Sequence, residues 1–293
     1  MFSVKSKFSE KNCGSCRGSF SVFFAGFGAY IKTDSINRLS NRKEKSVVSV
    51  YWEKGPVRSI NQDSLVVLQA LTLRGRVLMA AVCDGMGGMD AGECASGYLT
   101  EELVTWFYDG LLDAVAKRKP LWVIRRSAER KVYQVQSRLQ KYASKRGLAM
   151  GTTMSLLVLW EKKYLIWHLG DSRIYRLSGG RKNRISLLTK DHTQGSSRLT
   201  KCVGSFGFFM PDFRMGTVGK NDAFLLCSDG FRNRMDMGEM GEILNPGKMT
   251  KKRCDKRLRE IGEAVMRRGE QDNLSAIYIK WKTDSHSEGE LRV

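Results

Sequence analysis

Arg76-Val77-Leu78-Met79-Ala80-Ala81-Val82-Cys83-Asp84-Gly85-Met86-Gly87-Gly88 is an unbroken apolar run, residues 77–83, stopped by a carboxylate and a cluster of glycines. Seven apolar residues between turn signals read as a strand buried on both faces, and aspartate, a poor strand former, ends it. The glycines let the backbone approach a bound group closely and take dihedrals closed to other residues. Four further aspartates stand beside predicted strand ends: Asp63 in Arg58-Ser-Ile-Asn-Gln-Asp63, Asp171 in Gly170-Asp-Ser-Arg173, Asp229 in Cys227-Ser-Asp-Gly230 and Asp272 in Gln271-Asp-Asn273. Any one of them alone is an ordinary turn. Carboxylates from such distant parts of a chain converge only at one end of a sheet, where cations must offset their repulsion. An all-oxygen set suits Mg²⁺ or Mn²⁺, whereas zinc asks for clustered His or Cys, which this chain does not supply. Two such ions close together activate water and clamp a phosphoryl oxygen.

Outward from that strand, short β-rich runs recur at 47–52, 64–70, 152–160, 164–169, 174–177, 223–227 and 274–281. Helical spacing of apolar residues marks 91–109, with Leu99, Leu103, Trp106 and Phe107, then 121–145, then 251–268, with Leu258, Ile261, Val265 and Met266. Strands, two helices, more strands, a helix and a last strand predict a layered α+β domain rather than an alternating parallel sheet. Residues 1–45 are basic and lack sustained periodicity, so they read as a flexible N-terminal extension. The domain occupies 46–282 and a polar tail 283–293.

The chain has 293 residues, 42% hydrophobic and 27% charged. That composition supports a sizeable core and excludes collagen-like, coiled-coil and disordered classes. Fifty Lys and Arg against 30 Asp and Glu give a net charge of +20, which favours acidic or anionic partners. The charge is concentrated: Lys117, Arg118, Lys119, Arg125, Arg126, Arg130, Lys131, Arg138, Lys141, Lys145 and Arg146 face the single acid Glu129, and a second basic run spans 248–259. Such a run is ordinarily a solvated helix face, but with so few acids it suits docking of an acidic protein or lipid surface. Nucleic acid is disfavoured, because no recognisable module or interleaved set of stacking aromatics accompanies the run. The best candidate for a membrane span, 20–31, is too short and is interrupted by Ser21, Gly26 and Gly28. Seven scattered Cys do not form a disulfide framework, and Cys13-Gly-Ser-Cys16 reads as two free thiols. A cytoplasmic location is expected.

The ordered set RSINQD, DGMGG, GTT, GDSRIY, LTKDHT, LLCSDG and QDN resembles the bacterial branch of the metal-dependent protein phosphatase family, type 2C, over roughly 46–281. The resemblance implies two antiparallel sheets packed as a sandwich with helices outside, a four-layer αββα arrangement with a dinuclear metal site at one edge. It implies hydrolysis of phosphoserine and phosphothreonine by a water bridging two Mn²⁺ or Mg²⁺ ions, with no phosphoenzyme. By motif, the resemblance makes Asp84 the carboxylate shared by both metals, the Gly85 carbonyl a ligand of the second, Asp229 and Asp272 ligands of the first, and Asp63 the group that binds or orients metal-bound water on the second metal's side. Arg58 holds the phosphate, and Asp171 with Asp229 takes a labile third metal. Implied partners are phosphorylated proteins, a Ser/Thr kinase and its substrates among them. The rival reading is a catalytically weak module that binds phosphorylated or acidic partners through its basic surface. The chain departs from relatives at Met86, where some carry a histidine, and at Gln62, where some carry glutamate. A further departure follows Asp191-His-Thr-Gln194, where relatives insert a mobile flap that is largely missing here, and a more open cleft is expected. His168 and His192 are read as structural.

Overall fold

The computed structural model describes residues 46–282, except 73, 87–90, 180–183, 196–197, 205–206 and 208, together with the backbone of a strand at 21–25. In chain order the elements are β1 (Ser21–Ala25), β2 (Val47–Glu53), β3 (Asp63–Thr72), β4 (Gly75–Asp84), α1 (Gly92–Trp106), α2 (Leu112–Ala116) and α3 (Leu121–Arg146). Then come β5 (Met154–Trp160), β6 (Lys163–Leu169), β7 (Arg173–Ser178), β8 (Arg184–Leu187), β9 (Thr193–Gln194), β10 (Arg198–Leu199), β11 (Asp212–Thr217) and β12 (Asp222–Cys227). Last are α4 (Asp229–Arg232), α5 (Met237–Ile243), α6 (Lys251–Arg267) and β13 (Leu274–Lys280). One sheet has the order β1-β3-β4-β5-β6-β11 and the other β2-β13-β12-β7-β8, every pairing antiparallel.

Three apolar clusters set four layers. Val66, Leu68, Met79, Leu156 and Trp167 face α1 and α3, packing on Leu99, Leu103, Ile124 and Val135. The alternate residues Leu65, Val67, Leu78, Leu157 and Ile166 point the other way and meet Phe224, Leu226, Ile277 and Trp281 of the second sheet. The far side of that sheet, Tyr175, Leu225 and Tyr278, is covered by Leu258, Ile261 and Val265 of α6 and Met240 of α5. A central strand such as β4 is therefore apolar at both parities, which is why 77–83 shows no alternation. The architecture is the two-sheet α+β sandwich that the motif order implies.

The eight strands read from the sequence are present with ends shifted by a residue or two. The structure adds β8, β11 and the β9–β10 hairpin, none of which has an apolar run to announce it. Edge strand β11, Asp-Phe-Arg-Met-Gly-Thr, leaves most of its residues partly or fully exposed. It adds β1 as well, paired with β3 and lying within the stretch read as an extension. Helix 91–109 ends at Trp106, and a π-helical segment, Phe107–Leu111, carries the chain into α2. A Cβ at Gly110 would stand 2.7 Å from the Trp106 ring, so that segment needs glycine. Helix α3 runs to Arg146 and stops at Gly147, whose φ of +64° is the left-handed cap glycine favours. Cys13, Cys16, Gly87, Gly88 and the tail 283–293 lie outside the described residues.

Candidate active site

The site is built where β3 begins and β4 ends. In the antiparallel pair Asp63 stands directly opposite Asp84, so two carboxylates share one rung, a placement that is unfavourable unless a cation joins them. Thr152 and Thr153 hold the end of β4: the Thr153 N–H and the Thr152 hydroxyl donate to the Asp84 carbonyl, at 2.9 and 3.0 Å, and the Asp84 N–H donates to Thr153 Oγ1 at 2.9 Å. Gly85 bridges to Thr152 and donates its N–H to the Gln62 carbonyl at 3.1 Å. No side chain fits there, since a Cβ on Gly85 would lie 2.4 Å from the Gly92 carbonyl oxygen.

Asp229 opens α4 directly after β12, and Asp272 precedes β13. Arg58 Nη2 donates to Asp272 Oδ2 at 2.8 Å, and that bond, with the fields of Asp84 and Asp229, raises the guanidinium's pKa. The loop carrying Arg58 is tied down by Asn273, whose Nδ2 donates to the Lys54 and Ile60 carbonyls at 2.8 and 3.1 Å while its Oδ1 accepts from the Gln62 N–H at 2.9 Å. The same loop turns at Gly55, φ +79°, where a Cβ would fall 2.2 Å from the Asp272 carbonyl oxygen. Gln62 donates its side-chain amide to Glu93 at 3.2 Å and accepts the Ser96 hydroxyl on its carbonyl at 2.6 Å.

Asp171 follows β6. The turn carrying it is held by His192, whose N–H donates to the Gly170 carbonyl at 2.8 Å while Nδ1 accepts the Gly170 N–H at 3.1 Å. That acceptance puts the ring proton on Nε2, which donates to Asp212 Oδ2 at 3.1 Å. Arg232 Nη2 donates to the Asp171 carbonyl at 3.1 Å, and Asp191 receives Arg173 in a fork at 2.9 and 2.7 Å. His168 is buried, with Nδ1 at 3.0 Å from Ser155 Oγ and Nε2 at 3.1 Å from the Lys190 carbonyl. Both histidines thus support the frame.

The carboxylates perturb one another. Burial first, then the charges of Asp229 and Asp272, push Asp63 up to about 7 against the pull of the Ser275 and Ser228 hydroxyls. Burial and the charges of Asp63, Asp229, Asp171 and Asp272 raise Asp84 well above the carboxylate range. Burial and Asp229 push Asp171 up to about 6, with Arg232 opposing. Asp63 Oδ2 is buried without a hydrogen-bond partner. Among the described residues no three His, Cys, Asp or Glu side chains stand close enough to make a closed cation cage. The donor set nevertheless fits hard divalent ions: it is all oxygen, partly buried, mutually repelling and holds one orphaned carboxylate oxygen.

All seven residues singled out in the sequence, Arg58, Asp63, Asp84, Gly85, Asp171, Asp229 and Asp272, therefore belong to one electrostatically connected edge of the sandwich. Sequence reading missed Asn273 as the anchor of the Arg58 loop, although it closes the quoted QDN motif, and missed Arg232, for which no motif signal exists. Between His192 and Asp212 the described residues comprise the β9–β10 hairpin and a bridge from Val203 to Thr152.

The fold and this edge define a metal-dependent phosphatase sandwich, and the chain belongs to the protein phosphatase 2C family, whose model matches residues 57–276. It is a metal-dependent serine/threonine protein phosphatase of the bacterial branch. Protein phosphatase PhpP of Streptococcus pneumoniae is 28% identical over 217 residues, which is 67% of this chain and 83% of that protein. The solved structure of PppA from Pseudomonas aeruginosa is 26% identical, covers 80% of this chain and 99% of its own, and superposes with a TM-score of 0.64. The catalytic domain of the serine/threonine protein phosphatase PstP, solved with two manganese ions, shares the fold at 24% identity, 80% and 97% coverage and a TM-score of 0.63.

Proposed function

We propose that this chain hydrolyses phosphoserine and phosphothreonine in bacterial signalling proteins by direct attack of water, with Mg²⁺ or Mn²⁺ at the Asp63–Asp84 edge. The observation that carries this reading is the shared rung of Asp63 and Asp84, with an orphaned Asp63 oxygen and the fields of Asp229, Asp272 and Asp171 upon it. Asp84 would be shared by a pair of ions, with Asp229 and Asp272 helping to hold the first and the Gly85 carbonyl the second, where Asp63 would orient solvent. Bound there, the ions supply a water acidic enough to attack at neutral pH and positive charge for the phosphoryl oxygens. Asp171 beside Asp229 suits a labile third ion.

The chain's own residues do the positioning. Arg58 presents forked donors to a phosphate dianion, and Asn273 and Gly55 fix its loop against the turn before β13 that carries Asp272. Threonines 152 and 153 hold Asp84 by its backbone, so its carboxylate is aimed without using its own oxygens. Met86 cannot give a proton to the leaving alkoxide, so water or another residue must supply it. Physiological partners are then phosphorylated proteins and the Ser/Thr kinase that modifies them. The five described cysteines are free thiols, which suits a cytoplasmic setting.

The test is phosphate release from a phosphothreonine peptide. Release with Mn²⁺, abolished by EDTA and reduced at least ~10³-fold in Asp229→Ala, is expected. Absence of release from folded wild-type protein in Mn²⁺ and in Mg²⁺ would defeat the reading and leave a phosphoprotein-binding module.

A further inference from the structure

Helix α3 carries a charge pattern that the catalytic edge does not use. Its buried face, Ile124, Ala128, Val132, Val135, Leu139 and Ala143, packs on the first sheet, and its one acid, Glu129, is buried against that face and paired with Arg125 at 2.7 Å. Three more of the cations in this run have acidic partners: Lys131 and Arg138 with Glu102, and Lys117 with Asp113. Arg126, Arg130, Lys141 and Lys145 have none among the described residues, and all four are exposed. At 100° per residue they fall on one side of the helix, together with exposed Trp122 and Tyr133. The stripe from Arg126 to Lys145 is about 30 Å long. It runs toward the catalytic edge, because residues 147–151 are all that separate α3 from Thr152, whose hydroxyl donates to the Asp84 carbonyl, and the Gly151 carbonyl receives the Met86 N–H.

We propose that this stripe is a substrate-docking surface that captures an acidic segment of a phosphoprotein while its phosphoresidue reaches the metal edge. The proposal rests on the phosphatase reading and names its substrate class: phosphoserine or phosphothreonine with an acidic tract in the same chain. Charge complementarity and continuity with the site carry it. A membrane surface is disfavoured because the apolar face of α3 is spent on the sheet, and the large apolar side chains the helix does expose, Trp122 and Tyr133, are too far apart to make a face that inserts. Single-stranded nucleic acid is disfavoured because stacking needs neighbouring aromatics. Trp122 and Tyr133 lie eleven residues apart, and Arg126 already sits over the Trp122 ring at 5.8 Å. An extended tract of about ten residues spans the stripe.

The experiment uses the full chain with Mn²⁺ and two phosphothreonine peptides, one neutral and one carrying a ten-residue Asp/Glu tract. Wild type is expected to show a KM for the acidic peptide ~10-fold below that for the neutral one, as four rim charges of modest individual worth would give. Raising NaCl from 50 to 300 mM should erase the difference. Arg126→Glu/Arg130→Glu/Lys141→Glu/Lys145→Glu should lose the advantage while keeping kcat and KM on the neutral peptide. A control with the same change in net charge on the opposite helix, Lys252→Glu/Arg253→Glu/Lys256→Glu/Arg259→Glu, should keep the advantage. Equal KM values for the two peptides in wild type, or an advantage lost equally in the control, would overturn the proposal. Should neither peptide be hydrolysed, the phosphatase reading fails, and fluorescence anisotropy of the labelled acidic tract without phosphate still decides docking by binding wild type and not the α3 variant. Binding of the stripe to phosphatidylglycerol vesicles or to oligo(U) with no binding of the acidic tract would reject the protein partner.

Discussion

At the scale of single residues, the site depends on groups held by a few directed contacts. Arg58 is bound to Asp272 at 2.8 Å and is partly exposed, so it can exchange that carboxylate for a substrate phosphate of higher charge. Arg58→Ala is expected to lower kcat/KM ~100-fold through lost charge-assisted bonds, with Arg58→Lys recovering only part because the fork is gone. Steady-state kinetics on a phosphothreonine peptide check this. Asn273 makes three hydrogen bonds to the 54–62 loop, and its neighbour Asp272 is Arg58's partner. Asn273→Ala should cost about 1–2 kcal/mol in urea unfolding, because two carbonyls and an N–H of the loop lose a largely buried partner, and should also impair catalysis. His168 gives a pH signature. Burial, then the neighbouring His192, lowers its pKa from 6.5 to about 4. The folded state therefore refuses a proton that the unfolded state accepts below pH 6.5, so this group's stabilisation is whole above that pH and is lost progressively toward pH 4, by roughly 3 kcal/mol. His168→Asn should flatten stability against pH in that window relative to wild type.

At the scale of elements, the two-sided burial of β3, β4 and β5 explains why the middle of the first sheet was legible: uninterrupted apolar runs leave little else for the chain to do. β8 and β11 were not, because edge strands expose alternate or most residues and need only backbone pairing with one neighbour. The π-helical segment was hidden because its signal is one glycine, Gly110, against the ring of Trp106 four residues before it, and a single such pair interrupts no apolar periodicity. The turn at Gly55 is similarly tertiary: its left-handed φ is one constraint and the Asp272 carbonyl 2.2 Å from a hypothetical Cβ is another. Gly55→Ala should therefore destabilise by at least ~2 kcal/mol and displace Arg58, read as a lower denaturation midpoint and a higher KM.

At the scale of the whole molecule, the sandwich places the start of β3 and the end of β4 from one sheet and the end of β12 and the start of β13 from the other at a common edge. The site is thus shared between sheets, and ligation by divalent ions must couple to sandwich stability. Mn²⁺ at one hundred times its dissociation constant should add about 2.7 kcal/mol to the unfolding free energy per site. Thermal melts should show the gain, EDTA should reverse it, and Asp84→Asn should remove most of it. The positive charge is distributed unevenly as well, since α3 and α6 cover opposite faces and both are basic.

The amino-acid sequence by itself determined the layered α+β class, the core strands and the chemical character of the site, because apolar runs and strand-ending aspartates are local facts fixed by side-chain type. Only the tertiary structure decided that Asp63 and Asp84 share a rung, that Arg58 meets Asp272 across 214 residues of chain, and that Asn273 anchors the loop between them. It also decided which cations of the basic run are paired and which are left facing solvent. Register, long-range pairing and exposure depend on how two sheets and their helices pack, and no window of sequence contains both partners.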